Sequence, residues 1–342
     1  MDEFKKLHTR VKQTLSELDF KKPTPAQELA IPPILEGDNT LLIAPTGTGK
    51  TEAALLPVFT QLLENKEEND DNSDNNGINV LYIAPLRALN RDMRSRLGDW
   101  QEKLDLDIQV RHGDTSQYQR RKQALDPPDM LITTPETLQA ILPGKRLKEH
   151  LKSVKWVIID EVHELAESKR GTQLSIGLER LSRLTDDFQR IGLSATLGNP
   201  AEISRFLVGA KRDVRIMDAS TSEEISLQIE SPMPSEEDAE LEDKLNAQPT
   251  LISRLRRMRD LINEHESTLV FTNTREAAES LGSRLRFWDS EAPIKVHHGS
   301  LSRETRISAE EKFRNTDLKS LICTSSMELG IDIGAIDFVV QY

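Results

Sequence analysis

Residues 41–51, LLIAPTGTGKT, join an apolar strand to a glycine-rich turn and to the helical pattern TEAALLPVF. Gly47 and Gly49 permit a tight turn whose backbone N–H groups point inward, which makes an anion nest at a helix N-terminus. In that geometry Lys50 would reach the β- and γ-phosphates of a nucleotide, and Thr51 would offer its hydroxyl to Mg²⁺. Ala44 stands where GxxxxGK[ST] has its first glycine, so a glycine-rich strand-to-helix turn without a ligand remains the alternative.

A second apolar run, WVII (156–159), ends in the acidic pair Asp160 and Glu161, followed by Val162 and His163. Such a pair is poorly suited to packing, and the carboxyl ends of buried strands are where α/β sheets place ligand chemistry. Asp160 would hold Mg²⁺, directly or through water, and Glu161 would orient or deprotonate the water that attacks the γ-phosphate. The alternative is a helix N-cap pair. Together with the turn, the pair predicts a nucleoside triphosphatase.

Short apolar runs alternate with helical patterns along the rest of the chain. We predict buried strands at 41–44, 80–84, 130–133, 156–160 and 191–196, and a second series at 267–272, 293–298, 320–324 and 337–341. This rhythm predicts an α/β fold with two tandem domains, whose parallel sheets are flanked by helices. We place the domains at 1–210 and 211–342, with the boundary near 208–215.

Composition limits the class of protein. The 342 residues carry a net charge of −12, but the excess acid lies in two runs, 64–74 and 236–243, so the rest is close to neutral and basic grooves are not excluded. We predict a flexible acidic loop over 65–77 and a solvent-facing helix that begins in the second run. The single cysteine, Cys323, excludes a disulfide framework. The absence of a long apolar segment and of a signal peptide predicts a cytoplasmic protein without a membrane span.

Ordered motifs resemble those of superfamily-two helicases. APTGTGKT, DEVH and Ser194-Ala195-Thr196 resemble motifs I, II and III, and the second half resembles motifs IV, IVa and V at VFTNTR (270–275), HHGSLSRETR (297–306) and TSSMELGIDIG (324–334). PTPAQ, which ends at Gln27, resembles the Q motif, and APLRALNRDM resembles motif Ia. More specifically, DEVHELAESKRG, GLSATLGNP and CTSSMELGIDIG are similar to the large helicase-related (Lhr) family. The likeness spans residues 20–342.

The resemblance implies two RecA-like domains that bind ATP and Mg²⁺ and carry single-stranded nucleic acid. Carried over by position, Ser194 and Thr196 would couple the phosphate state to domain closure. The nucleotide contacts would be Gln27, Thr46, Gly47, Thr48, Gly49, Lys50, Thr51, Gly330 and Asp332. The nucleic-acid contacts would be Pro85, Arg87, Gly113, Thr134, Pro135, Thr272, Asn273, Arg275, His298, Gly299, Ser300 and Thr324. Short polar and glycine positions bring donors close to phosphates without reading bases, so binding should tolerate sequence and depend on salt.

Other side chains have competing interpretations. Phe4 would stack on the adenine or merely pack its helix, and His163 is interpreted as an interdomain hydrogen-bonding partner. The basic clusters 120–122 and 254–259 are better explained as solvated helix faces than as extensions of the nucleic-acid track. His297 and His298 point to opposite faces of a strand, so we do not expect a metal site there.

Motif VI of the family, of the type Q-x-x-G-R-x-G-R, has no counterpart in the 342 residues. We therefore expect the second domain to be C-terminally incomplete and the chain to be a truncated helicase that hydrolyses ATP slowly and unwinds poorly. The family implies 3′–5′ movement on single-stranded DNA, unwinding of DNA or RNA–DNA duplexes, and a role in DNA repair. The alternatives are an ATP-gated nucleic-acid clamp, an RNA remodeller without processive unwinding, and a structural pseudo-enzyme. The motifs do not determine the oligomeric state.

Overall fold

The computed structural model describes residues 2–68, 77–84, 97–185, 187–195, 198–220, 226–289, 292–324 and 336–342. The chain forms two compact units, Met1–Glu223 and Glu224–Tyr342. Of the predicted acidic loop 65–77, residues 65–68 continue a helix and residues 69–76 lie outside the described residues.

Within the described residues of the first unit, parallel strands form a seven-stranded sheet in the order β3-β4-β2-β5-β6-β1-β7. The strands are β1 Thr40–Ile43, β2 Val80–Ile83, β3 Ile108–Arg111, β4 Met130–Thr133, β5 Trp156–Ile159, β6 Gln189–Ser194 and β7 Arg215–Asp218. The helices are α1 Thr9–Glu17, α2 Pro25–Leu35, α3 Lys50–Glu68, α4 Gly98–Leu104, α5 Gln117–Leu125, α6 Pro135–Ile141, α7 Arg146–His150, α8 Val162–Ala166, α9 Lys169–Ser182 and α10 Pro200–Val208, with 3-10 turns at Glu3–Lys6 and Leu151–Ser153.

The central strands are buried on both faces, which is why they contain short apolar runs in the sequence. In β1, Leu42 packs into one core cluster with Phe59 and Tyr82, while Ile43 packs into another with Leu178. Successive side chains of a strand point to opposite faces, so both clusters are needed to cover the sheet. The predicted runs at β1, β2, β4, β5 and β6 are confirmed as strands.

The two edge strands, β3 and β7, were not predicted from the sequence. β7 is mostly exposed, and only the first residue of β3 is fully buried, so neither has the apolar run of a central strand. β7 pairs with β1, with Thr40 opposite Arg215. The first unit therefore extends past the predicted boundary at residue 210, because its sheet is completed by a short polar strand that follows α10.

The second unit has a parallel four-stranded sheet in the order β11-β8-β10-β9 within the described residues. Its strands are β8 Thr268–Phe271, β9 Ile294–His297, β10 Ser320–Cys323 and β11 Phe338–Gln341, and all four were predicted. Its helices are α11 Glu236–Glu240, α12 Glu242–Leu245, α13 Pro249–Glu264, α14 Arg275–Trp288 and α15 Arg303–Arg314. The apolar core includes Leu255, Leu281 and Ile322, and the Cys323 side chain is buried as expected.

The second acidic run does form helices, but it is not wholly solvent-facing. Asp238 is fully buried and accepts two hydrogen bonds of 3.0 Å from Arg256 of α13. Arg257 pairs with Glu230, and Arg259 lies over the ring of Trp288. These three arginines of the second basic cluster therefore stabilise the fold locally instead of forming a freely solvated face.

Because all strands of each sheet are parallel, their carboxyl ends meet at one edge, which is where an α/β sheet positions a ligand. In the first unit this edge carries the segments that follow β1, β3, β4, β5 and β6, and in the second those that follow β8, β9 and β10. In the described part of the chain, no helix has both the length and the apolar character needed to cross a membrane.

Candidate active site

The glycine-rich turn links β1 to α3, which begins at Lys50. Gly47 and Gly49 adopt φ values of 79° and 78°, a left-handed conformation that favours glycine. Thr48 Oγ1 donates to the carbonyl of Pro45 at 2.7 Å, and Thr46 and Gly47 are exposed at the tip. The turn predicted for a phosphate cradle is thus formed, with an accessible tip.

The segment at the start of α2 braces this turn. Thr24 caps α2, and its hydroxyl also donates to the carbonyl of Thr48 at 2.8 Å. Gln27 is 1% exposed, and its Nε2 donates to the carbonyl of Gly49 at 3.4 Å. A Cβ atom on Gly49 would lie 2.6 Å from that nitrogen. Gln27, predicted as an adenine contact, is therefore also a packing partner of the turn.

Lys50 is the buried cation of the site. Its side chain is 7% exposed, and its Nζ has no hydrogen-bond partner within the described residues. A buried ammonium without a partner is costly, so it favours an anion close to it. Thr51 is the next residue of α3, half-buried beside it. These residues fit the phosphates of a nucleotide.

Asp160 follows β5 and lies in a buried hydrogen-bonded position. Tyr82 Oη donates to its Oδ2 at 2.7 Å, and the N–H of Glu161 donates to its Oδ1 at 3.0 Å. Burial, and then the neighbouring charge of Glu161, raise the pKa of Asp160 to about 6, although Tyr82 and Lys50 oppose the rise. A buried carboxylate short of positive charge suits a hard cation such as Mg²⁺, whose preferred ligands are oxygens.

Glu161 has an uncommon backbone conformation. Its φ is 46° and its ψ is 47°, in the left-handed region that non-glycine residues seldom occupy. Such strain persists where the surrounding structure fixes it, and it clusters at functional sites. Glu161 Oε2 lies 3.5 Å from His163 Nδ1.

His163 connects the acidic pair to β6. Its Nδ1 lies 3.0 Å from the hydroxyl of Ser194, which is fully buried at the end of β6. Burial, and then the charge of Lys50, lower the pKa of His163, which favours the neutral ring. We expected an interdomain partner for His163, but these contacts lie within the first unit.

Among the nucleic-acid residues predicted in the first unit, Gly113 lies in an exposed loop after β3. Arg120 holds this loop, because its guanidinium donates to the carbonyls of Thr115, His112 and Gly113 at 2.9, 3.3 and 2.8 Å. Thr134 and Pro135 are buried at the start of α6, where the Thr134 side chain accepts from the N–H of Thr137. Pro85, Arg87 and Thr196 lie outside the described residues.

In the second unit, the predicted residues divide into exposed and buried groups. The exposed ones are Asn273, Arg275, Gly299 and Ser300, all in segments that follow β8 and β9. Thr272 and His298 are buried, and the Thr272 hydroxyl donates to the carbonyl of Thr274 at 3.0 Å. Thr324 is half-buried, and its N–H donates to the carbonyl of His297 at 3.4 Å. Gly330 and Asp332 lie outside the described residues.

The paired histidines contact different carboxylates. His297 Nε2 lies 2.7 Å from Glu310, and His298 Nε2 lies 2.8 Å from Glu279. No group of three possible metal ligands occurs in the residues that the structure describes. Phe4 is 7% exposed within the core cluster of the first unit, so packing accounts for it.

The sequence did not predict that three residues, Tyr82, Arg120 and Glu279, would support the site through hydrogen bonds. Tyr82 lies within the apolar run of β2, where an aromatic residue is typical of core packing. Glu279 is one of several acids on a helix surface. Arg120 was identified only as part of a basic cluster. Their hydrogen bonds, and not their spacing, reveal them.

Comparison with known proteins agrees with this geometry. Residues 24–203 match the family model of the DEAD/DEAH box helicases, and residues 250–342 match that of the helicase conserved C-terminal domain. The chain is 41% identical over 340 residues to the ATP-dependent helicase Lhr-Core of Methanothermobacter thermautotrophicus, covering 94% of this chain and 38% of that relative. It is 38% identical to the Lhr helicase/probable uracil glycosylase of Mycolicibacterium smegmatis, covering 94% of this chain and 24% of that relative.

A solved structure of the Mycobacterium smegmatis helicase Lhr bound to ssDNA and AMP-PNP superposes with a TM-score of 0.78 at 37% identity, covering 100% of this chain and 44% of that one. The chain thus spans less than half the length of these relatives. The DEAD-box helicase Mss116 bound to ssRNA and UDP-BeF shares the fold, with a TM-score of 0.74 at 21% identity.

Proposed function

This chain belongs to the DEAD/DEAH box helicases, a family of ATP-hydrolysing enzymes, and within them to the large helicase-related type, and we propose that its two units form an ATP-driven motor on single-stranded nucleic acid. The proposal rests on one observation above others. The buried Lys50 ammonium lacks a hydrogen-bond partner in the described residues, and its charge lowers the pKa of the buried Asp160 carboxylate. A buried cation without an acceptor that interacts with a carboxylate short of positive charge is the arrangement that Mg²⁺ and a triphosphate together would satisfy.

The residues at the edge of the first sheet have distinct tasks in this proposal. The backbone N–H groups of the turn 46–51 and the Lys50 ammonium bind the phosphates, and Gln27 and Thr24 hold the turn in shape. Thr51 and Asp160 would hold Mg²⁺, which would neutralise charge on the transferring phosphoryl group. Glu161 orients the attacking water and accepts its proton.

Ser194 and His163 connect the hydrolytic pair to the rest of the sheet. A change at Glu161 reaches β6 through the contacts of His163 with Glu161 and Ser194. Ser194 also accepts, through its carbonyl, the N–H of Ala44 at the start of the turn. Phosphate binding and the end of β6 are therefore mechanically joined, which supports the coupling role predicted for Ser194 and, by sequence, for Thr196. Gly330 and Asp332 are proposed to contact the nucleotide from the second unit.

Nucleic acid would bind along the exposed segments at the carboxyl edges of the sheets. Asn273, Arg275, Gly299, Ser300 and Gly113 offer amide, guanidinium, hydroxyl and backbone donors, which suit phosphates more than base edges. Buried Thr134, Pro135, Thr272 and His298 would shape these segments from below, and Pro85, Arg87 and Thr324 are proposed to complete the track. Binding is then sequence-tolerant and weakened by salt.

The finer proposal is 3′–5′ movement on single-stranded DNA and unwinding of DNA or RNA–DNA duplexes in DNA repair. The relatives named helicases and the related helicase solved with ssDNA support unwinding and a single-stranded DNA partner, and the polarity and the repair role are what the family resemblance implies. Because no arginine pair of the motif VI type occurs in the sequence, we propose that these 342 residues turn over ATP slowly. An ATP-gated clamp without processive unwinding is the second candidate, favoured by that same feature.

The deciding experiment is steady-state ATP hydrolysis by the 342-residue chain with Mg²⁺, with and without single-stranded DNA, beside Glu161→Gln and Lys50→Ala. We expect slow turnover that DNA stimulates and that Glu161→Gln abolishes while nucleotide binding is retained. Lys50→Ala should lose nucleotide binding. DNA affinity that depends on nucleotide, with no turnover, would favour the clamp. Nucleotide affinity that is unchanged by Lys50→Ala would overturn the proposal.

A further inference from the structure

We propose that Glu279 is a positioning residue for nucleic-acid binding, which acts through His298 to fix the Ser300–Arg275 pair on one backbone phosphate. This inference rests on the proposed function, because it names a device within the proposed nucleic-acid track. Glu279 is a half-exposed acid on α14 that neither its spacing nor its charge would assign to an anion site.

Glu279 and Arg275 clamp one loop from one helix. They are four residues apart in α14, so their side chains lie on the same helical face. Glu279 Oε1 lies 2.8 Å from His298 Nε2, and Arg275 Nη1 donates to the Ser300 hydroxyl. Between them, the N–H of Ser300 donates to His298 Nδ1 at 3.3 Å. The chain of contacts runs from Glu279 through His298 and Ser300 to Arg275.

The geometry fixes the tautomer of His298. A backbone N–H can only donate, so Nδ1 must accept from Ser300 and must carry no proton. The ring proton is then on Nε2, where it donates to the Glu279 carboxylate. His298 is 5% exposed, so water competes little for either nitrogen. Glu279 thus selects the tautomer that can hold the Ser300 amide.

The clamped pair presents a phosphate-sized set of donors. Arg275 has five N–H donors, of which the Ser300 contact uses one, and Ser300 keeps its hydroxyl proton to donate. Both residues are exposed, and Arg275 lies in the first turn of α14, whose N-terminus adds partial positive charge. One phosphodiester oxygen pair would receive the guanidinium and the hydroxyl together.

Simple electrostatics predicts the opposite effect of losing Glu279. Removal of a carboxylate near a phosphate site should strengthen DNA binding, because repulsion is lost. If Glu279 instead holds His298, its removal frees the ring to change tautomer, the Ser300 amide loses its acceptor, and binding weakens. The sign of the change therefore separates the two explanations.

The test measures affinity of the full 342-residue chain for a fluorescent oligothymidylate at fixed salt. We expect Glu279→Ala to weaken binding about tenfold, as for the loss of one or two ordered donors. Glu276→Ala removes an exposed acid from the same helix and should leave binding unchanged or slightly tighter. Glu279→Gln keeps an acceptor for Nε2–H and should recover most of the loss. Binding by Glu279→Ala that equals or exceeds wild type would overturn the proposal.

A double-mutant cycle with His298→Asn excludes a general structural effect. The Asn oxygen occupies the place of Nδ1 and accepts from Ser300 without any tautomer to select, so Glu279→Ala should cost nothing further in that background. An equal cost in both backgrounds would contradict the proposal. Ring ¹⁵N spectra of wild type should show His298 protonated on Nε2, and Glu279→Ala should show mixed tautomers. If wild type shows these spectra but does not bind DNA, the proposed function is wrong, whereas the contact between Glu279 and His298 still stands.

Discussion

His163 Nδ1 lies 3.0 Å from the Ser194 hydroxyl, so the acidic pair and the end of β6 share a hydrogen-bonding contact. The same nitrogen lies 3.5 Å from Glu161 Oε2. Burial, and then the charge of Lys50, lower the pKa of His163, which favours the neutral imidazole. The contact therefore joins Glu161 to a strand that also carries the carbonyl partner of Ala44.

Ser194→Ala should separate nucleotide binding from stimulated turnover. We expect ATP affinity to change less than about twofold and DNA-stimulated hydrolysis to fall about tenfold, because one hydrogen bond in the coupling contact is lost. Fluorescent nucleotide titration and steady-state hydrolysis measure the two quantities. Ser204→Ala, which removes a buried hydroxyl bonded to Ala201 within α10, is the matched control and should affect neither. Equal effects of both variants would exclude the coupling role.

Asp160→Asn should stabilise the metal-free chain while it abolishes hydrolysis. The pKa of Asp160 is raised from 3.8 to about 6, so ionisation of this buried group lowers the free energy of unfolding as pH rises through that window. At pH 8 with EDTA, we expect Asp160→Asn to unfold with a free energy higher by about 1–3 kcal/mol. Denaturant titrations at pH 8 and pH 4 measure the difference, which should shrink towards zero at the lower pH.

Tyr82→Phe is the companion variant for that experiment. Tyr82 donates to Asp160 and holds its pKa down, so its loss should enlarge the pH-dependent destabilisation of the metal-free chain. In the Asp160→Asn background, Tyr82→Phe should add no pH dependence in this range. A gain from Asp160→Asn that is equal at pH 4 and pH 8 would show that ionisation of Asp160 is not its cause.

The sequence predicted the central strands because both of their faces are buried. β1, β2, β4, β5 and β6 are buried along their whole length and contain short apolar runs. In contrast, most residues of β7 are exposed, and β3 keeps only Ile108 fully buried. An edge strand needs little apolar character, so its sequence resembles a loop. The domain boundary was placed too early for this reason, since β7 follows the last helix of the first unit.

The candidate site residues stand out in the sequence, whereas their hydrogen-bonding partners do not. Lys50 follows a glycine-rich turn, and Asp160 and Glu161 follow a buried strand, so their types point to chemistry. Tyr82 and Glu279 are ordinary residues for a strand and a helix surface, and only the fold brings them to Asp160 and His298. Contacts between residues distant in sequence are set by tertiary packing, which a local pattern does not encode.

Gly49→Ala should destabilise the chain more than Gly47→Ala. Both glycines have φ near 78°, so alanine at either position is strained by about 1–2 kcal/mol. A Cβ at Gly49 also meets Gln27 Nε2 at 2.6 Å, whereas at Gly47 it meets nothing within 4 Å. Denaturant titration should therefore show a larger loss for Gly49→Ala, and a part of that excess should disappear in the Gln27→Ala background. Equal losses at the two positions would contradict the close approach of Gln27.

Arg120 and Arg121 should differ in how their loss affects DNA binding. Arg120 donates to three carbonyls of the loop 112–115, whereas Arg121 is exposed on α5. Arg120→Ala should release that loop and weaken oligothymidylate affinity about fivefold to tenfold, with little change in the slope of log K against log salt. Arg120→Lys, which cannot reach three acceptors in one plane, should recover little. Arg121→Ala should leave affinity within twofold. A salt slope reduced by about one in Arg120→Ala would instead show that its guanidinium contacts a phosphate directly.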